Sequence, residues 1–238
     1  MDCLIIAAGE GSRLRSLAES KPLAEVAGRP MIEHVMTAAA QGGATAFTIV
    51  TGYRAEPLEA WLAAFAESSG FRIRTVRNPE WKRPNGISVL AAAEALQGEF
   101  LLTMSDHLFE PAIVSGLLEA GAAPLRLAID RNGDSPLIDL DDATKVKTDA
   151  GGRIERIGKT LAEWDAIDTG LFRAGPELIS AIRESVKRGG QGSLSEGVQQ
   201  LADSGRAFTL DATGLWWMDV DDPRAHALAE EELRLKAP

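Results

Sequence analysis

Two groups of residues in this sequence have the types and spacing for chemistry on phosphates. The first lies in LIIAAGEGSRL (residues 4–14). There an apolar run ends at Ala7 and Ala8, Gly9 and Gly11 follow one residue apart, then Ser12 and Arg13, with Lys21-Pro22 downstream. A glycine turn at the end of a first strand turns backbone N–H groups inward and lets phosphate oxygens approach the chain. The second group is a pair of acids. Asp106 ends the apolar run of LLTMSDHLF (101–109), and Asp219 follows the apolar residues of LWWMDVDDP (215–223). Open parallel sheets bind ligands at the carboxyl ends of their strands. Two carboxylates that converge there with triphosphate oxygens suit Mg²⁺, a hard cation that takes few protein ligands.

The glycine loop excludes two common phosphate binders. A dinucleotide fingerprint needs a third glycine, and Leu14 stands in its place. A P-loop has one candidate ending, Gly158-Lys159-Thr160, but Arg153 occupies the position of its first glycine. With Arg13 and Lys21-Pro22, the loop instead resembles the signature of nucleotidyltransferases that join a nucleoside triphosphate to a sugar phosphate or phosphoalcohol. That resemblance implies a nucleobase lying against Ala7, Ala8 and Gly9, and phosphates wrapped by Gly11 and Ser12. It also implies Arg13 and Lys21 as catalytic cations where the α-phosphate gains charge. Asp106 and Asp219 match the family's metal-holding acids, so Asp106 is expected in both the catalytic and the metal set. Ser105 joins the nucleotide set beside it. Asn85 and Gly86, in RPNGISVL (83–90), match the segment that closes over the base, with an amide suited to cytosine or uracil.

DATKVK (142–147), RIGKTLAEWDAIDTGLF (156–172) and LWWMDVDDP further resemble the CTP:inositol-1-phosphate cytidylyltransferases, over residues 3 to about 225. The implied reaction moves CMP from CTP to a small phosphorylated alcohol such as inositol 1-phosphate. Lys145, Lys159 and Asp168 are the expected acceptor contacts, Asp168 ranking above Glu163 and Asp165. Relatives that use phosphocholine as acceptor, or UTP or GTP with a sugar 1-phosphate, are the rival readings, and outside the class stands a nucleotide-binding regulator without turnover. Family members are often fused to a membrane alcohol-phosphate transferase. Because the sequence ends at Pro238, the expectation is a separate partner of that type, with a homodimer also open. His107 reads as a pocket-lining hydrogen-bonding residue, His34 and His226 as surface or interface residues, Trp216 and Trp217 as packing beside the Asp219 strand, and Asp222-Pro223 as a helix start.

The elements that must position these residues are legible as periodicity. Strand patterns at 3–8, 46–52, 72–78 and 100–106 alternate with helical patterns at 30–43, 55–70 and 88–98, the order of a parallel sheet covered by helices. Further on, 124–131, 166–175 and 206–214 read as strands, and 145–159 as a hairpin around Asp149–Gly152. Residues 176–190, 193–205 and 222–237 read as helices. The expected architecture is one α/β domain over 1–238, Rossmann-like and mostly parallel, of the nucleotide-diphospho-sugar transferase type. A small hairpin-bearing acceptor insertion falls near 132–165. At 45% hydrophobic residues the chain can bury a large core, and its charge of −10 argues against a nucleic-acid partner. No apolar run is long enough to insert in a membrane or to form a leader. The single cysteine, Cys3, points to a reducing, cytoplasmic setting.

Overall fold

The computed structural model describes residues 1–15 and 17–236. In chain order the first half contains β1 (Asp2–Ala7), β2 (Glu25–Val26), β3 (Arg29–Pro30), α1 (Met31–Gln41), β4 (Ala46–Thr51), α2 (Ala55–Ser69), β5 (Ile73–Arg77), α3 (Gly86–Ala91), β6 (Phe100–Met104), β7 (His107–Phe109) and α4 (Pro111–Glu119). The second half adds β8 (Leu125–Asp130), β9 (Lys145–Thr148), β10 (Ile154–Gly158), β11 (Ala166–Ala174), α5 (Pro176–Lys187), α6 (Leu194–Asp203), β12 (Ala207–Asp211), β13 (Trp217–Asp219) and α7 (Pro223–Lys236).

Alternation along β1 explains the layers. Cys3, Ile5 and Ala7 enter one hydrophobic cluster, while Leu4, Ile6 and Ala8 enter another on the opposite face. A strand buried on both faces reads as an unbroken apolar run, and parallel sheets carry such strands at their centre. β1 pairs in parallel with β4 and β6, and β4 with β5. Beyond β6 the sheet becomes mixed: β11 runs antiparallel to β6, β8 and β9, and β12 pairs in parallel with β8.

The 145–159 hairpin forms as expected, from β9 and β10, and joins the main sheet through β11. Residues 131–144 before it have no helix or strand. β11 carries a register irregularity between Asp168 and Phe172, with Gly170 at φ +77°. A Cβ at Gly170 would run into the His107 ring. Glycine thus lets a sheet strand pass close to the start of β7.

Three features escape the sequence reading. Helix α4 is one. The short pair β7–β13 is the second, and it brings His107 opposite Asp219. The third is the β2–β3 hairpin just after Lys21. α3 starts at Gly86, two residues earlier than periodicity suggests, and ends at Ala91. Beyond it only isolated turns follow, and Arg74 donates to the Ala95 carbonyl at 2.8 Å.

Candidate active site

β1 ends at Ala7, and the chain turns through Gly11 at φ +56° into a single 3₁₀ turn, Ser12–Leu14. A side chain at Gly11 would overlap that of Lys21. The second glycine therefore makes room for a lysine. Lys21 opens another 3₁₀ turn with Pro22 at its start, and its side chain is 8% exposed. Its ammonium donates to Asp106 Oδ2 at 2.5 Å and to Asp221 Oδ1. Burial alone would pull Lys21 below its ordinary value, but Asp106, Asp221 and Asp219 reverse this and push it above.

Asp106 stands just beyond β6. The Ser105 N–H donates to the Ile6 carbonyl at 3.0 Å, and the Val220 N–H donates to the Asp106 carbonyl at 2.9 Å, which ties both acid-bearing segments to the central strands. Burial would raise the Asp106 carboxyl, yet the Lys21 charge and a hydrogen bond from His107 hold it far below the usual range. His107 Nδ1 lies 2.9 Å from Asp106 Oδ1 and 3.8 Å from Asp219 Oδ1. Burial opposes the imidazolium, but Asp219, Asp106 and Asp168 push it up to about 9. Asp219 moves the other way. Burial pushes its carboxyl up to about 7 against the pull of His107, with Asp106 and Asp221 adding repulsion. Its Oδ1 is buried and accepts no hydrogen bond from the described residues. Asp106, His107 and Asp219 each offer a ligand atom within 4.8 Å of the others. Two carboxylates, one with an unanswered buried oxygen, form a donor set that fits a hard divalent cation.

Two cavities meet at this cluster. The first, about 280 Å³, is lined by Ala7, Gly9, Gly11, Ser12, Lys21 and Ser105. The second, about 250 Å³, is lined by His107, Lys159, Asp168, Asp219, Asn85 and the 136–144 loop. Arg13, Asp106 and Asp221 line both. Asp168, at the β11 irregularity, accepts from the Gly170 N–H at 2.7 Å, and burial pushes its carboxyl up to about 6.

The structure thus brings together Arg13, Lys21, Asp106, Asp219, Lys159, Asp168 and most of the glycine loop, and places other expected residues differently. Asn85 lines the second cavity, and its Oδ1 accepts from the Leu194 N–H at 3.0 Å. Gly86 packs where a Cβ would meet the Gly192 carbonyl, and Ala8 accepts from Tyr53 N–H; neither lines either of these two cavities. Lys145 lines neither cavity: its ammonium donates to the carbonyls of Leu140 (2.7 Å) and Lys159 (2.9 Å). Asp165 is taken up by Thr148, Arg131 and Lys147, and Glu163 is exposed. Trp217 donates to buried Asp130 at 2.9 Å, and Asp222 caps α7 by accepting from Ala225 N–H at 2.8 Å. His34 and His226 contact the carbonyls of Val26 and Glu25, each at 2.7 Å, and so hold the β2–β3 hairpin.

Sequence reading undervalued two acids. Asp221 bridges Lys21 and Arg13, and Asp142 bridges Arg13 and Lys159. Asp221 lies two residues beyond Asp219, the interval that returns a side chain to the same side of an extended chain. Asp142 left no such signal, because it sits in a loop without periodicity.

Residues 3–147 match the model of the MobA-like NTP transferase domain. A bifunctional IPC transferase and DIPP synthase of Rubrobacter xylanophilus is 34% identical over 95% of this chain and 50% of its own length. The protein of that name from Thermococcus kodakarensis is 36% identical over 92% of this chain and 48% of its own. The chain therefore spans about half the length of these curated relatives. A solved inositol-1-phosphate CTP transferase of T. maritima superposes with a TM-score of 0.84 at 24% identity, covering 97% of this chain and 95% of that one, which shows a shared fold. With the glycine loop, the lysine and the strand-end acids gathered in one cleft, the chain belongs to the MobA-like NTP transferase family.

Proposed function

We propose that this protein is a cytidylyltransferase that transfers CMP from CTP to a small phosphorylated alcohol, inositol 1-phosphate, releasing pyrophosphate and a CDP-alcohol. The observation that carries the reading is the seam between the two cavities. A nucleotide on the glycine loop and an acceptor beside Lys159 and Asp168 would meet where Arg13, Lys21 and Asp106 stand. The relatives named as IPC transferases, at 34% and 36% identity, support this choice of substrates.

On this reading an acceptor phosphate oxygen attacks the α-phosphorus in line and pyrophosphate departs. The nucleophile is already ionised near neutral pH, so no general base is needed. The protein's contribution is positioning and charge. Lys21 is held by Asp106 and Asp221 at the base of the glycine loop, where negative charge grows on the phosphate. Arg13 reaches the same point from the exposed side. His107 fixes the Asp106 carboxylate, and Asp168 offers a carboxylate to the acceptor's hydroxyls. Asp106 and Asp219 would hold Mg²⁺, which when bound offsets the charge of the nucleotide phosphates.

The test supplies CTP and Mg²⁺ with inositol 1-phosphate, phosphocholine or glycerol 3-phosphate and identifies the CDP product by mass. Pyrophosphate release is then compared among CTP, UTP, GTP and ATP. CDP-inositol formed fastest with CTP is the expected result. Faster release with UTP or GTP and a sugar 1-phosphate, or CTP binding without product from any acceptor, would overturn it.

A further inference from the structure

Two of the cleft's cations are already joined. Arg13, at the nucleotide side, and Lys159, just beyond β10 at the acceptor side, both bind Asp142: Oδ2 accepts from Arg13 at 3.1 Å and Oδ1 from Lys159. We propose that Asp142 is an internal stand-in for the acceptor's phosphate, a carboxylate that bridges Arg13 and Lys159 in the free protein and that an incoming dianionic phosphate must displace. This rests on the reading of the second cavity as the acceptor site.

Asp142 is held in place from below. The Ala143 N–H donates to the Asp139 carbonyl at 2.8 Å, and the Asp142 N–H donates to the same carbonyl at 3.2 Å. Lys145 is the fastening. By donating to both Leu140 and Lys159 carbonyls it ties the 131–144 loop to the chain that carries Lys159. The expected acceptor lysine at 145 thus builds the loop, and only Lys159 of the pair points a charge into the cavity.

The two cations are also exchangeable in a way that Lys21 is not. The side chains of Arg13 and Lys159 are 50% and 57% exposed, and that of Asp142 is 36% exposed. A displaced Asp142 carboxylate therefore returns to water at little cost. What replaces it must bind the cations better than it does. A monoanion exchanges one charge for one and gains nothing. A phosphomonoester brings about two charges and three acceptor oxygens, enough to engage both cations with bonds to spare. Asp142 thereby makes the cleft select by charge, favouring alcohol phosphates over carboxylates and phosphodiesters of similar shape. A ligand shifts such an equilibrium only by the difference in its affinity for the two states.

The experiment titrates inorganic phosphate calorimetrically into the parent protein, Asp142→Asn and Asp141→Asn, the last removing an equal charge from the same loop without touching either cation. Asp142→Asn is expected to bind phosphate about fivefold more tightly, as loss of two half-exposed ion pairs implies, and Asp141→Asn to stay within about twofold of the parent. The gain should disappear in a Lys159→Ala background. In turnover the change appears as a lower KM for the acceptor rather than a change in kcat. An Asp142→Asn protein that binds phosphate no better than the parent, or an equal gain from Asp141→Asn, would overturn the proposal. If the parent makes no product from CTP and any alcohol phosphate, the functional reading fails, while the phosphate titration still decides the role of Asp142.

Discussion

On the proposed reading, Lys21 concentrates the chemistry of this cleft in one side chain. It is buried, charged and braced by two carboxylates, so its position is set before any ligand arrives. Lys21→Ala is expected to lower kcat by about 10²–10³, measured as pyrophosphate release at saturating CTP, because preorganised charge at a reacting phosphate contributes on that scale. Near-parental turnover would remove Lys21 from its role. Asp168 shows the cost of keeping an acid ready. Burial pushes its carboxyl up to about 6, above its ordinary value of 3.8. Between those two values the folded protein holds the proton more firmly than the unfolded chain, so the group's contribution to stability falls as pH rises through that window. Above it the folded state bears the full penalty. Asp168→Asn should raise the melting temperature more at about pH 8 than at about pH 4, by an amount worth about 1–3 kcal/mol, while acceptor turnover drops. An equal shift at both values would show that the carboxyl is not strained by burial.

At the scale of elements, the site depends on junctions more than on the bodies of strands. Helix α6 opens with a capping box in which Ser193 Oγ accepts from the Glu196 N–H and Glu196 accepts from the Ser193 N–H. Glu196 also accepts from Gly192 N–H at 2.7 Å and from the Ser185 hydroxyl at 2.9 Å. Burial works against this carboxylate, but those donors hold it below its ordinary value. Its stabilisation is therefore present above the unfolded value and is lost as pH falls through the folded one. Glu196→Ala should cost about 1–3 kcal/mol near neutral pH by denaturant unfolding, with a smaller loss in acid. No effect would mean that the box is redundant.

Strands and helices of the core were legible because their burial writes a period into the sequence. β1 shows this, with six apolar or small residues from Cys3 to Ala8 shared between two faces. The pairing of β7 with β13 was not legible. Three residues are too few to carry a pattern, and the partners lie far apart in the chain. For that reason Asp106 and Asp219 were readable as a converging pair, while the place of His107 between them was not. Lys145 and Lys159 looked equivalent on a hairpin. Only the fold of the 131–144 loop, which has no periodicity to read, separates a lysine that binds carbonyls from one that faces the cavity.

On the scale of the whole molecule, the last helix, α7, is fastened to the segment that follows Lys21. Glu230 of α7 accepts from Ala27 N–H at 2.7 Å, and His226 contacts the Glu25 carbonyl, so α7 grips the β2–β3 hairpin that follows Lys21. Ala27 adopts φ +50°, a left-handed conformation that an L side chain enters at a cost, and Glu230 holds it there. Glu230→Gln should reduce kcat while the protein stays folded, since a neutral amide holds the strained N–H less firmly. The expected loss is about threefold to tenfold, with circular dichroism unchanged. A fall in KM affinity alone would place the effect elsewhere.

The two cavities share Arg13, Asp106 and Asp221 as a common wall. On the proposed function, a single synthetic molecule that covalently tethers a cytidine nucleotide to a polyol phosphate through a short linker would span both. Its second half would dock as an intramolecular event, at a local concentration set by the tether. If that function holds, the cleft is a natural target for bisubstrate inhibitors, whose two fragments need not bind tightly alone.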